Sequence, residues 1–167
     1  MSSLLQHFSD TSIVWLLSLF PLTYVIHIAD EYWSGGGYSA HLFNTYGIEL
    51  SPSRFIRLQA LGITLMIVGI VFAVMFSFPN TLVVILSGIV FVNSLIHIFR
   101  SLSIGHAEPG LKTSLLLWLP LGLLTLLLIH DSMSFPRFCF AFLTGAGICG
   151  IVELIAQRGG RVFRVLN

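Results

Sequence analysis

Two short stretches of the sequence bring together residues that bind divalent metals. HIADE, which begins at His27, places one histidine and two carboxylates within five positions, and NSLIH, which ends at His97, adds a second histidine. Residues three or four apart share one face of an α-helix. In helical bundles, His with Asp or Glu in that spacing, opposite a second helix with His, binds Zn, Mn or Fe. We therefore predict a site for Zn or Fe, with Mn as an alternative, and with four ligands: His27, Asp30, Glu31 and His97.

The composition indicates that these residues belong to an integral membrane protein. Of the 167 residues, 56% are hydrophobic and only 9% are charged, whereas soluble domains carry about 25% charged residues. The mean hydropathy is +0.94. The net charge of +1 provides no basic surface for a phosphate backbone, so we expect no nucleic-acid partner. Cys139 and Cys149 are ten positions apart in one apolar stretch, which on a helix is roughly 15 Å and too far for a disulfide.

The chain is predicted to be one all-α domain over residues 1–167, a polytopic membrane bundle of five transmembrane helices. Five apolar stretches come close to the roughly 20 residues needed to cross the hydrocarbon core. They cover approximately residues 11–30, 55–76, 82–101, 112–130 and 135–156. Ser51 or Ser53 is the expected N-cap of the second span. The one long connection, residues 32–50, begins with a run of glycines and is predicted as a loop at the membrane interface.

The distribution of basic residues predicts the orientation of this bundle, because cytoplasmic loops carry an excess of Lys and Arg. With five spans, one side of the membrane has only Arg137. The other side has seven basic residues: Arg54, Arg57, Arg100, Lys112, Arg158, Arg161 and Arg164. We therefore expect the N-terminus outside and the C-terminus in the cytoplasm, in the inner membrane of a bacterium. Arg100 is interpreted as an anchor that extends to the membrane interface. Three tryptophans are interpreted as interface or lipid-facing anchors: Trp15, Trp33 and Trp118.

This orientation places polar residues of three spans at one depth, the cytoplasmic end of the bilayer. The first span ends with the HIADE residues, the third with Asn93 and His97, and the fifth with Glu153. Ionisable groups in hydrocarbon cost about 2.5 to 3.5 kcal/mol each on insertion scales and are normally paired or functional. A divalent metal ion bound by several of them would offset that cost.

Glu153 and Glu108 are the predicted general bases. In the fifth span Ala146, Gly150 and Glu153 follow the spacing i, i+4, i+7, so two small residues precede the carboxylate on one stripe. Small residues let helices approach closely, so Glu153 is expected to point into the bundle. The same stripe fits packing between two copies, which leaves a homo-oligomer as an alternative. Glu108 follows His106 in the loop at the same end of the bundle.

Three motifs of the chain resemble those of the HXXEE-domain family of membrane proteins. They are HIADE, NSLIH and the EPG of residues 108–110, and the likeness extends from about Val14 to Glu153. That family is marked by a His-x-x-Glu-Glu motif, a further histidine and a Tyr-x-Pro-Gly motif. The resemblance supports the membrane-bundle fold and names no reaction. It implies the importance of His27, Asp30, Glu31, His97, Pro109 and Gly110.

Two positions depart from the family pattern. Asp30 stands where the family usually has Glu, which keeps the carboxylate and shortens its reach by one methylene. Ala107 stands where the family has Tyr, which removes a hydroxyl.

The leading functional hypothesis is a metal-dependent hydrolase or oxidoreductase. Its substrate would be a lipid-like or amphipathic molecule that reaches the site laterally from the membrane lipids of the inner leaflet. Asp30 would either bind the metal or orient a histidine through a hydrogen bond. One alternative is a proton or ion pathway, which needs polar residues along the whole depth of the membrane. The other is a structural or pigment-binding subunit of a larger complex, for which a single histidine would suffice.

Overall fold

The structure is a computed structural model that describes residues 10–162, with side-chain surroundings for residues 12–155. The described residues form six α-helices and no strand. Five of these helices are long and apolar enough to cross a membrane, which confirms the predicted all-α architecture with five spans. Arg164 lies outside the described residues, as do the side chains of Arg158 and Arg161. The orientation of the termini stays a prediction.

The helices are α1 Asp10–Trp33, α2 Tyr38–Tyr46, α3 Pro52–Met75, α4 Pro79–Ile104, α5 Leu111–Ser132 and α6 Phe135–Val162. Helix α5 contains a π-helical segment at Ser114–Trp118. Ser51 caps α3 by accepting a hydrogen bond from the Arg54 backbone N–H at 3.3 Å, as the sequence predicts. Helices α1, α4 and α6 end, and α3 and α5 begin, at one end of the bundle, which we call the site end.

Helix α4 is the centre of the bundle. It contacts each of the other four spanning helices, and it buries Val83, Val84 and Val90 almost completely. In contrast, α3 exposes a continuous apolar surface that includes Leu61 and Leu65. Such a surface is typical of a helix that faces lipid, because polar side chains find no water there with which to form hydrogen bonds. The side chains of α4 are therefore held by packing contacts from all the other spanning helices.

The connection of residues 32–50 is not the loop that the sequence predicts. Helix α1 continues to Trp33, and α2 fills the middle of the connection. Gly37 has φ +89°, and a Cβ there would lie 2.7 Å from the Tyr32 carbonyl oxygen, so only glycine allows this reversal of the chain. Helix α2 then packs Tyr38 and Leu42 on Phe55 of α3. The glycine run therefore folds α2 back over the site end.

The close contact between α4 and α6 lies one residue away from the predicted stripe. A Cβ on Gly145 would lie 2.1 Å from the Ile85 carbonyl oxygen, and one on Gly88 would lie 2.8 Å from the Phe142 carbonyl oxygen. A Cβ on Gly150 would have no neighbour within 4 Å. The buried stripe of α6 is Ala141, Gly145 and Cys149. A stripe of small residues on α6 does allow close helix packing, as predicted, but the stripe lies one residue earlier than predicted. Several small residues in this stretch fit more than one stripe.

We expect Gly145→Ala to destabilise the bundle, since its methyl group would force α4 and α6 apart. Overpacking of a close contact costs roughly 1 to 3 kcal/mol. Gly147→Ala is the matched control, because nothing lies within 4 Å of its Cβ position and alanine favours a helix by roughly 0.5 to 1 kcal/mol over glycine. Thermal unfolding in detergent should show a lower midpoint for Gly145→Ala only. Equal midpoints for the two variants would contradict this packing.

Candidate metal centre

Two helices bring two imidazoles and one carboxylate together at the site end. His27 and Glu31 lie one turn apart on α1, and His97 faces them from α4. The Glu31 Oε1 atom is 3.5 Å from Nε2 of His27 and 3.6 Å from Nε2 of His97. One ligand atom from each residue lies within 4.8 Å of the others. All three residues are buried, so this group could hold a metal ion.

The atoms of these three residues that point away from the group are each engaged by another polar group. Nδ1 of His27 lies 2.8 Å from the Thr113 hydroxyl on α5. Nδ1 of His97 lies 2.7 Å from a carboxylate oxygen of Glu108 in the loop before α5. Oε2 of Glu31 accepts a hydrogen bond from the Gln59 amide of α3 at 3.1 Å. Partners of this kind fix the orientation and tautomer of metal ligands.

These contacts assign the proton positions on both histidines. The Thr113 hydroxyl donates to Oδ2 of Asp30 at 2.9 Å, so it accepts from the Nδ1–H of His27. A carboxylate only accepts, so the Nδ1 atom that faces Glu108 carries the proton on His97. In both neutral rings Nε2 then has a free lone pair, and both lone pairs point toward the Glu31 carboxylate. Three acceptors that face one another in a buried space are costly unless a cation lies among them, either a metal ion or a proton on one ring, because the nearby Asn93 amide donor is as far as 3.5 Å from Nε2 of His27.

Asp30 lies beside this group and has other partners. Its Oδ1 accepts from the Ser34 hydroxyl at 2.5 Å, and its Oδ2 accepts from the Thr113 backbone N–H at 3.1 Å. The carboxylate thus caps the first turn of α5 and fixes the hydroxyl that holds His27. A role of Asp30 as a metal ligand stays a prediction. Its contact to His27 through Thr113 fits the second role that the sequence suggests, the orientation of a histidine.

Glu108 is buried between two histidines. Its second oxygen lies 3.3 Å from Nε2 of His41 on α2, and its backbone N–H donates to the Ser101 hydroxyl at 3.1 Å. His41 lies outside the spans, and burial lowers its pKa, so the ring is neutral at pH 7. The sequence did not indicate His41, because it falls in the stretch predicted as a loop. His106 is exposed, with its ring 6.1 Å from that of His41.

Glu153 pairs with Arg100, away from the two imidazoles. The guanidinium of Arg100 contacts the Glu153 carboxylate and lies 3.4 Å from the Tyr38 hydroxyl. Arg100 is therefore paired inside the bundle, in place of the predicted extension toward the headgroups. A role of Glu153 or Glu108 as general base stays a prediction. Of the two, Glu108 is the one in contact with the histidine and carboxylate group.

Trp118 is not the interface anchor that the sequence predicts. It is 3% exposed, while Trp15 and Trp33 are 71% and 75% exposed. The π-helical segment of α5 brings the indole ring over His27, with a distance of 3.7 Å between ring centroids. Insertions of this kind in helices are frequent at functional sites. The indole ring covers one face of the imidazole and keeps water from it.

Sequence reasoning also missed the contacts that Gln59 makes. Its amide holds Glu31, and its carbonyl accepts from the Tyr24 hydroxyl at 2.6 Å. The available signal was a polar amide in an otherwise apolar span, since such residues normally face the interior of a bundle.

Gly110 presses directly against the candidate ligands. Its φ is +89°, and a Cβ there would lie 2.8 Å from Cε1 of His97, 2.9 Å from Cγ of Glu31 and 3.0 Å from Cε1 of His27. The chain approaches this closely only because glycine has no side chain. Next to it, a pocket of about 250 Å³ has a lining that includes Asp30, Glu108 and Lys112. This pocket gives the site end an opening beside the group.

The fold and the site define a helical, multi-pass membrane protein with a buried group of histidines and a carboxylate. A family model described as "Protein of unknown function with HXXEE motif" matches residues 18–125. The chain belongs to this family, which confirms the resemblance of its motifs. No curated protein and no solved structure matches the chain.

We expect Gly110→Ala to disrupt the site far more than Gly105→Ala does. Both glycines have positive φ, so both substitutions share the cost of a left-handed backbone, roughly 1 to 2 kcal/mol. A Cβ at Gly105 has no neighbour within 4 Å, whereas one at Gly110 meets all three candidate ligands. Overpacking adds roughly 1 to 3 kcal/mol. Thermal unfolding of both variants measures the difference, and similar midpoints would show that the three side chains do not pack on Gly110.

Proposed function

We propose that the protein is a metal-dependent membrane enzyme in which His27, Glu31 and His97 hold one divalent ion. The observation that supports this most is the convergence of three lone pairs, each fixed from behind by a separate polar partner. A network of this form is expensive to bury unless a cation completes it. A cluster formed only for packing would not need the unprotonated nitrogens to face one another.

The donor set favours Zn or Fe, with Mn as an alternative. Two imidazole nitrogens and one carboxylate oxygen form the ligand set of many zinc hydrolases and of non-haem iron oxygenases. Such a metal supplies Lewis acidity or redox chemistry at coordination positions that the protein leaves open. The chain itself contributes the orientation of the ligands, through Thr113, Glu108 and Gln59, and the exclusion of water, through Trp118.

A lipid-like or amphipathic substrate fits the position of the site. The three ligands lie within about two turns of the helix ends at the site end, since Glu31 is two residues before the end of α1 and His97 is seven before the end of α4. The polar part of an amphipathic molecule is located at this depth. The pocket lined by the charged side chains of Asp30 and Lys112 would admit the polar part, and the apolar exposed faces of the bundle would contact the tail. The substrate would therefore enter from the lipid phase.

A proton or ion pathway is supported less well. In the half of the bundle away from the site end, the buried hydroxyls of Ser87 and Thr125 donate to carbonyl groups of their own helices, Val83 and Leu121. They do not extend the polar network of the site end. A pigment site is also supported less well, because both Nε2 atoms face the Glu31 carboxylate.

We expect protein purified in mild detergent without chelators to contain about one equivalent of Zn, Fe or Mn per chain, measured by inductively coupled plasma mass spectrometry. The content should fall at least tenfold in His27→Ala, in His97→Ala and in Glu31→Gln, since each loses one of three ligands. His130→Ala is the matched control, because this exposed histidine pairs with Asp131 in a surface turn. Wild-type protein that stays free of metal after incubation with each ion would overturn the proposal.

The reaction is tested on lipid extracts incubated with metal-loaded protein and analysed by mass spectrometry. Loss of a lipid together with two products whose masses sum to that lipid plus water indicates hydrolysis. Addition of an oxygen atom, with O2 and a reductant supplied, indicates oxidation. Products are expected with the loaded wild type and not with Glu31→Gln. Lipids that remain unchanged with every metal would remove the enzymatic part of the proposal and leave the metal site.

Glu108→Gln should weaken metal binding without removing a ligand. The amide keeps the size of the side chain but loses the charge that stabilises the Nδ1–H of His97, and loss of such a partner lowers metal affinity roughly 10- to 100-fold. Competition with a zinc-binding dye measures the affinity. Glu49→Gln, which changes an exposed carboxylate near the same end, should have no effect. Unchanged affinity in Glu108→Gln would contradict the orienting role.

A further inference from the structure

Asn93 lies on α4 one turn before His97 and places its side-chain amide beside the candidate metal centre. Its Nδ2 is 3.5 Å from Nε2 of His27, which is the nitrogen assigned to the metal. At that distance a hydrogen bond is weak. The amide N–H groups therefore keep the capacity to donate to a ligand that occupies the centre.

The orientation of the amide is set from its other side. The Cys149 thiol on α6 lies 3.9 Å from Oδ1 of Asn93, a weak contact that favours the orientation in which the amide nitrogen faces His27. Cys149 belongs to the buried stripe of α6, one turn after Gly145, where α4 and α6 are in closest contact. This contact therefore links the orientation of the donor to the packing of α6 on α4.

The charge of the centre indicates what the amide would bind. Two neutral imidazoles, one carboxylate and one divalent ion sum to a single positive charge, which the buried Glu108 carboxylate, 2.7 Å from Nδ1 of His97, balances. The partner that the ion itself attracts at an open position is an atom with negative or partly negative charge. A neutral donor at 93 stabilises that charge without competing for the metal, as donors at oxyanion sites do.

We propose that Asn93 is a catalytic residue that donates a hydrogen bond to a carbonyl or carboxylate oxygen of the substrate. This inference rests on the proposed metal centre and narrows its substrate to amphipathic esters, amides or acids, whose polar end carries such an oxygen. Cys149 is a positioning residue that acts through Asn93.

Azide binding to the cobalt-loaded protein tests this without knowledge of the substrate. Azide is an anion that accepts hydrogen bonds, and its binding changes the visible absorption of Co²⁺. We expect Asn93→Ala to keep the cobalt content of the wild type and to bind azide about tenfold more weakly, as for loss of one hydrogen bond to a charged group. Asn44→Ala, which removes an exposed amide on α2, should leave azide affinity unchanged.

Two further variants separate the role of charge from that of orientation. Asn93→Asp should keep cobalt and lose azide binding, because a carboxylate repels the anion. Cys149→Ala should weaken azide binding severalfold by freeing the amide to rotate, whereas Cys139→Ala on the same helix should have no effect.

Two results would overturn the inference while the metal centre stands. One is unchanged azide affinity in Asn93→Ala. The other is loss of cobalt from Asn93→Ala, which would assign Asn93 to holding the ion. Wild-type protein that takes up no cobalt and no other metal would instead overturn the proposed metal centre itself, and the inference with it.

Discussion

The structure depends on one arrangement, the facing of two imidazole nitrogens and one carboxylate oxygen in a space that water does not reach. Glu31 Oε1 is shared between His27 and His97, with nearly equal distances of 3.5 and 3.6 Å. Acceptors in a medium of low dielectric repel one another strongly, so a cation must be present whenever both rings are neutral. The contacts to Thr113 and Glu108 place a proton at Nδ1 of each ring, so Nε2 of both rings is available to a cation. The fold therefore selects a geometry that a cation, either a metal ion or a proton on one ring, makes favourable.

The candidate ligands on α1 and α4 are held in place by side chains from the other elements at the site end. Helix α5 contributes Thr113, the preceding loop contributes Glu108, and α3 contributes Gln59, so the ligands of two helices are held by three further elements. Helix α2 adds His41 behind Glu108, which requires the chain to reverse at the glycine run. None of these partners binds the group alone. The site forms only when the whole end of the bundle is assembled, and the bundle in turn gains a polar core that specifies one packing of otherwise interchangeable apolar helices.

The extent to which the sequence predicts this site follows from the range of each interaction. His27 and Glu31 could be predicted because four positions on one helix have a fixed geometry, and His97 because equal depth in a membrane limits where its partner lies. His41 and Gln59 could not, since their roles depend on tertiary contacts between elements that no local spacing encodes. The burial of Trp118 could not be predicted for a different reason. The π-helical segment rotates the residues of α5, so the face that a regular helix would present to lipid turns inward. The small-residue stripe of α6 missed its register by one residue, because glycine and alanine are common along that stretch.

The two departures from the family motif acquire a physical meaning in this geometry. Asp30 contacts the His27 side chain through Thr113 and caps the backbone of α5. A cap needs a short side chain that accepts from nearby N–H groups, and aspartate is better suited to it than glutamate. The substitution of one carboxylate by a shorter one is therefore compatible with an intact centre. Ala107 is exposed and lines the pocket beside Glu108, so the missing tyrosine hydroxyl would change the opening of the site and leave its ligands untouched. Three residues of the motifs, His27, Glu31 and Gly110, are in direct contact at the centre, where a longer or larger side chain would not fit.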